Sequence, residues 1–347
     1  MIPVGRSFPE MVNALLLGLA LVLAPAATVR ADDLKARMES LGFSEEDVAS
    51  VHAGELVSTR LESATPRELA IAIALKVPIE PVRLVSALAR GAALAENPKV
   101  KHFGLVPKPV GVDALTALSL TPDQVGRWRG ASPGEDINLS GDEFRVLKTA
   151  LAPVGGASAR VEAVAQAVRG ILYTRMRMYQ MSGLDGIAPY ERSSGDLRDA
   201  AEELRIASRA DQEIGLLPSA FYDVLLGYPE RVPAGFEEVF FWTSEEGPDG
   251  MMLNLTHRFS VQLDRGYGTV QRQFYVSEGY NVEQAIALVI PTEGGSIVLY
   301  TNRTSTDQVD GFGGSARRSI GDHMLEGELS ALMRKVMGSL SKPSAPN

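Results

Sequence analysis

The chain has 347 residues, 45% apolar and 22% charged, with 34 basic against 43 acidic side chains and a net charge of −9. That is a globular profile, which excludes a disordered, fibrous or polytopic membrane chain. Without a basic stripe to displace counterions it also disfavours a sequence-independent nucleic-acid binder. Cysteine is absent, which removes disulfides, thiolate metal sites and cysteine nucleophiles and suits an oxidising envelope compartment.

The first element is an address. Ala14 to Leu23 is an apolar run too short for a membrane span of about 20 residues. Val29 and Ala31 fit the −3 and −1 subsites of a signal peptidase, with Ala24-Pro25-Ala26 as a second candidate. Residues 1–31 therefore read as a signal peptide, and the protein is expected to be exported, periplasmic or extracellular. The mature chain divides into an N-terminal α/β segment (32–115), a mainly helical region (116–232), an antiparallel sheet plus C-terminal helix (233–340) and a disordered tail (341–347).

Residues 33–52 read as helix, with a restart at Ser44-Glu45-Glu46. Glu55 to Leu61 reads as a strand. Leu69, Ile71, Ile73, Leu75 and Val77 then alternate with Ala70, Ala72, Ala74 and Lys76, which predicts a second strand ending at Pro78, although Ala and Leu also suit a helix. Pro81 starts a helix over Val82–Arg90. Gly104 to Leu115 is loop-rich, Thr121-Pro122 caps a short helix, and residues 130–142 are rich in turns. Helical spacing resumes over Ser158–Gln180 and over 196–226, with a break near Gly215–Pro218.

The last third changes period. Phe236–Thr243, Met251–Leu263, Thr269–Glu278, Val282–Ile290 and Ser296–Thr304 are strands joined by glycine-bearing turns, as in an antiparallel meander. Ser315 then caps a closing helix. Its apolar positions Ile320, Met324, Leu325, Leu329, Leu332, Met333, Val336, Met337 and Leu340 trace one stripe.

A strand feeding a helix through Pro78 and Pro81, a meander and a long C-terminal helix together resemble the helix-grip (START-like) fold. The resemblance implies an α+β architecture in which an antiparallel sheet wraps the closing helix and leaves an apolar cavity, here with a large α-helical insertion or separate helical domain. It also implies binding of a lipid or other apolar small molecule. Pro66-Arg-Glu-Leu-Ala70, Leu120-Thr-Pro-Asp123, Pro133-Gly134, Phe241-Trp242, Leu255-Thr-His257, Tyr300-Thr-Asn-Arg303 and Gly311-Phe-Gly-Gly314 resemble, in order, a set of uncharacterised exported bacterial proteins. Members of that set carry cysteines flanking the Pro-Gly, where this chain has Ala131 and Asp136, so any shared disulfide is lost. This second resemblance implies no activity.

Catalytic motifs fail on chemistry. Gly130-Ala-Ser132-Pro-Gly134 matches a nucleophile elbow, but Pro133 has no N–H to offer an oxyanion. The four histidines have no metal-ligand spacing. Asp307, Asp310, Glu237 and Glu238 read as surface or turn carboxylates. The residues expected to contact a ligand are His257, alone among apolar neighbours on its strand face, with a satisfied core histidine as the alternative; Trp242, in a run of three aromatics whose rings cannot all share one face, with core packing as the alternative; and Arg303 and Arg317, as partners for an anionic headgroup, the Gly311–Ser315 stretch before Arg317 reading otherwise as a hinge and cap. The function expected is a non-enzymatic binder of an apolar small molecule or lipid, without a cofactor or metal. The alternative is an envelope protein–protein interaction module with no ligand cavity.

Overall fold

The computed structural model describes residues 31–134, 137–150, 156–247, 250–311 and 313–342. The expected signal segment before Ala31, Phe312 and the tail from 343 lie outside the described residues. Helices α1 (Ala31–Ser40) and α2 (Glu45–Ala53) are parted where Ser44 forms a capping box with Asp47. Strands β1 (Val57–Arg60) and β2 (Glu68–Val77) follow, then α3 (Pro81–Ala89), α4 (Ala92–Glu96) and β3 (Val100–Val106). The middle of the chain holds α5 (Pro122–Gly130), α6 (Gly141–Ala150), α7 (Ala157–Ser182), the short pair β4 (Tyr190–Glu191) and β5 (Leu197–Arg198), α8 (Ala200–Ile214) and α9 (Ser219–Gly227). The meander β6 (Phe236–Gly247), β7 (Gly250–Leu263), β8 (Gly266–Val276), β9 (Val282–Thr292) and β10 (Gly295–Ser305) leads into α10 (Gly314–Ser341).

The main sheet has eight antiparallel strands in the order β1-β2-β10-β9-β8-β7-β6-β3. The protein is thus α+β, with a large antiparallel sheet and a C-terminal helix. Alternation in β2 reports a strand because Ile71 and Ile73 turn to one face and Ala72 and Ala74 to the other, and all four are buried. Both faces are covered. One face carries Ile71, Ile73, Leu75, Val289 and Val298 and packs with Leu84 of α3 and Met337 of α10; we call it the C-helix face. The opposite, helical-layer face carries Ala72, Ala74, Phe259, Val270, Ile286 and Leu299 against α1, α2 and α9. Further along, Trp242, Leu255 and Phe274 lie against α5 to α8. A bulge between β7 and β8 inserts one residue, so the successive rings of Phe274 and Tyr275 both enter that helical-layer core.

Helix α10 is fastened at both edges of the sheet. From β1, Ser58 Oγ donates to Glu326 at 2.5 Å and Arg60 to the Ser319 hydroxyl at 3.1 Å. From the opposite edge, Lys99, just before β3, meets Glu328 at 2.6 Å, and Ser339 Oγ donates to Glu96 of α4 at 2.7 Å.

Several expectations are corrected. The edge strand Val100–Val106 runs into the stretch from Gly104 expected as loop, and the helix Gly141–Ala150 begins inside the stretch 130–142 expected as turns, because each is stabilised mainly by tertiary pairing or packing. Residues 196–199 precede α8 and include the two-residue strand β5. The cap of α10 is Gly313 in the left-handed region at φ 76°, so Ser315 falls within the first turn. Ser341 is the last helical residue rather than part of a tail. The apolar stripe of α10 is divided: Val336 and Met337 are buried, whereas Ile320 and Met324 are 62% and 61% exposed.

Since α10 supplies apolar cover to the C-helix face, truncation before Gly311 is expected to abolish the cooperative thermal transition seen by circular dichroism. Met337→Ala alone is expected to cost about 2–5 kcal/mol. A truncated chain that still melts cooperatively would show that this face needs no cover.

Candidate functional site

Trp242, His257 and Arg303 all project from the helical-layer face, and Arg317 lies at the start of α10. They do not converge. Trp242 is 2% exposed and lies across β3 at Gly104, where a Cβ would stand 2.5 Å from the indole nitrogen. It is core packing that only a glycine in the neighbouring strand permits. Of the three successive aromatics, Phe241 alone turns to the C-helix face, as its pairing with Thr256 requires.

His257 has no exposed surface. Its ring stacks on Phe240 at 4.2 Å, and Nδ1 lies 3.2 Å from the Tyr179 hydroxyl. Nε2 is 3.3 Å from Glu238 Oε2, within ionic reach yet off the line of a hydrogen bond. Burial drives the imidazole down to about 4 against the pull of Glu238. Glu238 itself falls to about 2: its contacts with His257 and Lys108 outweigh the opposing effect of burial. Glu238 is therefore part of this buried cluster rather than a surface acid.

Arg303 is 3% exposed, and its Nε and Nη1 are engaged. Nε meets Asp211 Oδ1 and Nη1 meets Glu68 Oε2, both at 2.8 Å, and Nη1 also donates to the Glu62 carbonyl at 3.2 Å. The network continues through Gln284 to Arg272, which donates to Ser208 Oγ and to the Leu225 carbonyl at 3.0 Å each. Arg303 forms part of the floor of a cleft of about 710 Å³ between α1, the β1–β2 turn and α8, whose lining includes none of the other three residues. Arg317 is exposed and donates to the Asp310 carbonyl. Asp307, expected at the surface, pairs with Arg198 at 2.7 Å and Arg192 at 2.9 Å.

A different polar constellation lies on the C-helix face. Thr243 and Glu245 of β6, Asn254, Thr256 and Arg258 of β7, Gln271 and Gln273 of β8, Glu283 of β9, and Asn302 and Thr304 of β10 share that face by register. Alternation alone makes these the solvent side of the meander, yet Thr256 and Asn302 have no exposed surface and Asn254 has 1%. Glu245 Oε1 accepts from Thr243 Oγ1 at 2.5 Å and from Asn254 Nδ2 at 2.8 Å. Asn302 donates to the Tyr300 hydroxyl at 3.2 Å, Thr304 Oγ1 lies 2.8 Å from Asn302 Oδ1 and 3.4 Å from Glu283 Oε2, and the Tyr280 hydroxyl donates to Gln273.

Two features mark this belt. Asn254 Oδ1 and Thr256 Oγ1 are buried without a partner, and a buried unmet polar atom costs about 1–3 kcal/mol. Glu245 and Glu283 also have no cation beside them among the described residues. Glu283 is half-buried. Burial, with the charge of Glu245 adding, pushes its carboxyl up to about 7 against the hydrogen bonds of Asn302 and Thr304. At the α3 end, Arg258 donates to the Leu88 carbonyl at 2.6 Å and to Gln271 at 2.5 Å, which commits its fork. Among the described residues no group of three or more His, Cys, Asp or Glu could hold a metal.

Sequence reasoning misses this belt because period 2 reports which residues share a face and not what covers it. The Arg272–Asp211–Gln284 network was more accessible: Arg272 sits between Val270 and Phe274, so a charged residue interrupts a core face. Comparison with protein-family models, with curated proteins and with solved structures returns no match to the chain.

Two titrations follow. The folded value of His257 lies below the 6.5 of the unfolded chain, so its contribution to stability is present above that value and is lost as pH falls from about 6.5 towards 4. Relative to the wild type, His257→Leu should therefore gain stability across that window, on the order of 3 kcal/mol; melting curves that shift in parallel would contradict it. Glu283 has the opposite sign, because its folded value lies above 4.5 and its ionisation destabilises the fold as pH rises towards 7. Glu283→Gln is expected to melt higher than wild type at pH 8 and to show no such gain below pH 4.5.

Proposed function

We propose that the protein is an exported, non-enzymatic binding protein for a small amphipathic molecule, held in a helix-grip arrangement between the polar belt and α10. The observation that carries this reading is the belt itself: buried, acceptor-rich and incompletely satisfied on a face that the C-terminal helix spans from edge to edge. A fold that needed only stability would fill this space with apolar side chains, since an unpaired polar atom in the interior is a net cost. A ligand supplying the missing hydrogen bonds removes that cost.

Apolar contacts for the rest of the molecule are at hand. Leu325, Leu329 and Met333 of α10 are only partly buried against the Ile71–Val298 cluster. Ile320 and Met324 on α10, and Phe103 and Leu105 on β3, are exposed on elements that flank the same face. Methionine and leucine surfaces of this kind accept ligands of varied shape. The apolar run Ala14–Leu23 and the Val29/Ala31 pattern support export.

Native mass spectrometry of the exported protein, with organic extraction of any adduct, tests the reading. The expected result is a stoichiometric small-molecule adduct that is lost in Thr256→Val, a variant that keeps the side-chain shape and melts no lower than wild type. A bare mass in wild type, unchanged by incubation with a lipid extract, would overturn it and favour the protein-interaction module, with the exposed Ile320 and Met324 as its contact.

A further inference from the structure

We infer that the polar end of the ligand is a primary ammonium group seated at Glu283, with Glu245 as the second negative group of the site; the inference rests on the reading of the C-helix face as a ligand chamber. Several buried or half-buried carboxylates elsewhere among the described residues are matched by guanidinium groups: Asp211 and Glu68 by Arg303 at 2.8 Å, Glu143 by Arg175 at 2.6 Å, and Glu203 by Arg67 at 3.5 Å. Glu245 and Glu283 lack such a partner among the described residues, although Glu245 is 8% exposed and close enough for its charge to act on Glu283. A cation is the missing complement, because a buried carboxylate without one carries an uncompensated desolvation cost.

The hydrogen-bond inventory selects among cations. Several donors of the belt are already spent inside it: the Thr243 hydroxyl and the Asn254 amide on Glu245, the Asn302 amide on Tyr300, the Tyr280 hydroxyl on Gln273. What remains includes the carboxyl of Glu283, Asn254 Oδ1 and Thr256 Oγ1, the last two buried and unpartnered on 1% and 0% exposed residues. Such a site asks its ligand for N–H groups. A primary ammonium offers three, a quaternary ammonium none, and a carboxylate would meet like charge. The one arginine of the belt, Arg258, is bound to Gln271 and to the Leu88 carbonyl and lies 5.1 Å from the ring of Phe241.

Calorimetric titration of the delipidated full-length mature protein at pH 8, with octylammonium, octanoate, octanol and octyltrimethylammonium, tests the inference. Octylammonium is expected to bind about tenfold or more tightly than each of the others, a difference of about 1.4 kcal/mol. Glu283→Gln should erase that advantage, bringing octylammonium to within about threefold of octanol on the same variant. If octanol or octanoate binds wild type as tightly as octylammonium, the cation inference fails and the chamber stands. If none of the four binds, the chamber reading fails with it.

Discussion

The structure depends on one constraint: its antiparallel sheet is covered on both faces, while its strands are written with the alternation of a sheet that is dry on one side only. An eight-stranded sheet with helices above and below buries many polar residues of its central strands. Those residues need partners from within the protein or from a ligand, because water does not reach them.

The two faces meet this demand differently. On the helical-layer side, Arg272, Gln284 and Arg303 converge on Ser208 and Asp211 of α8 and on the Leu225 carbonyl of α9. The network stitches the helical layer to β8, β9 and β10. Removing one member would strand the rest, and breaking a buried pair costs about 3–5 kcal/mol. His257 belongs to the same side, neutral and stacked among Tyr179, Tyr228, Phe240 and Phe259. On the C-helix side the belt bonds to itself but leaves acceptors unmet. The first arrangement ties the helical layer to the sheet, and the second is the one we propose a ligand completes.

Much of the architecture was legible in the chain. The five meander strands fall within a few residues of their alternating segments, and Ser44, Thr121 and Pro81 stand at helix starts where their chemistry places them. The candidate site was not legible. Asn254, Thr256 and Arg258 occupy alternate positions of β7 opposite Leu255, His257 and Phe259, and nothing local says that Asn254 and Thr256 are buried as deeply as the second set. The same ignorance of cover made Arg303 look like a ligand contact, when Asp211 and Glu68, distant in the chain, already engage it.

By itself, then, the sequence determined the periods: where the chain is strand, where it is helix, and which side chains share a face. Those follow from local sterics and hydrophobic alternation, which act over a few residues. Only the tertiary structure decided which face is enclosed, that β3 and β1 form the two edges, and that Glu245 and Glu283 have no cation beside them among the described residues while Arg303 has two carboxylates. Cover and charge pairing arise between residues far apart in the chain, and no local pattern encodes them.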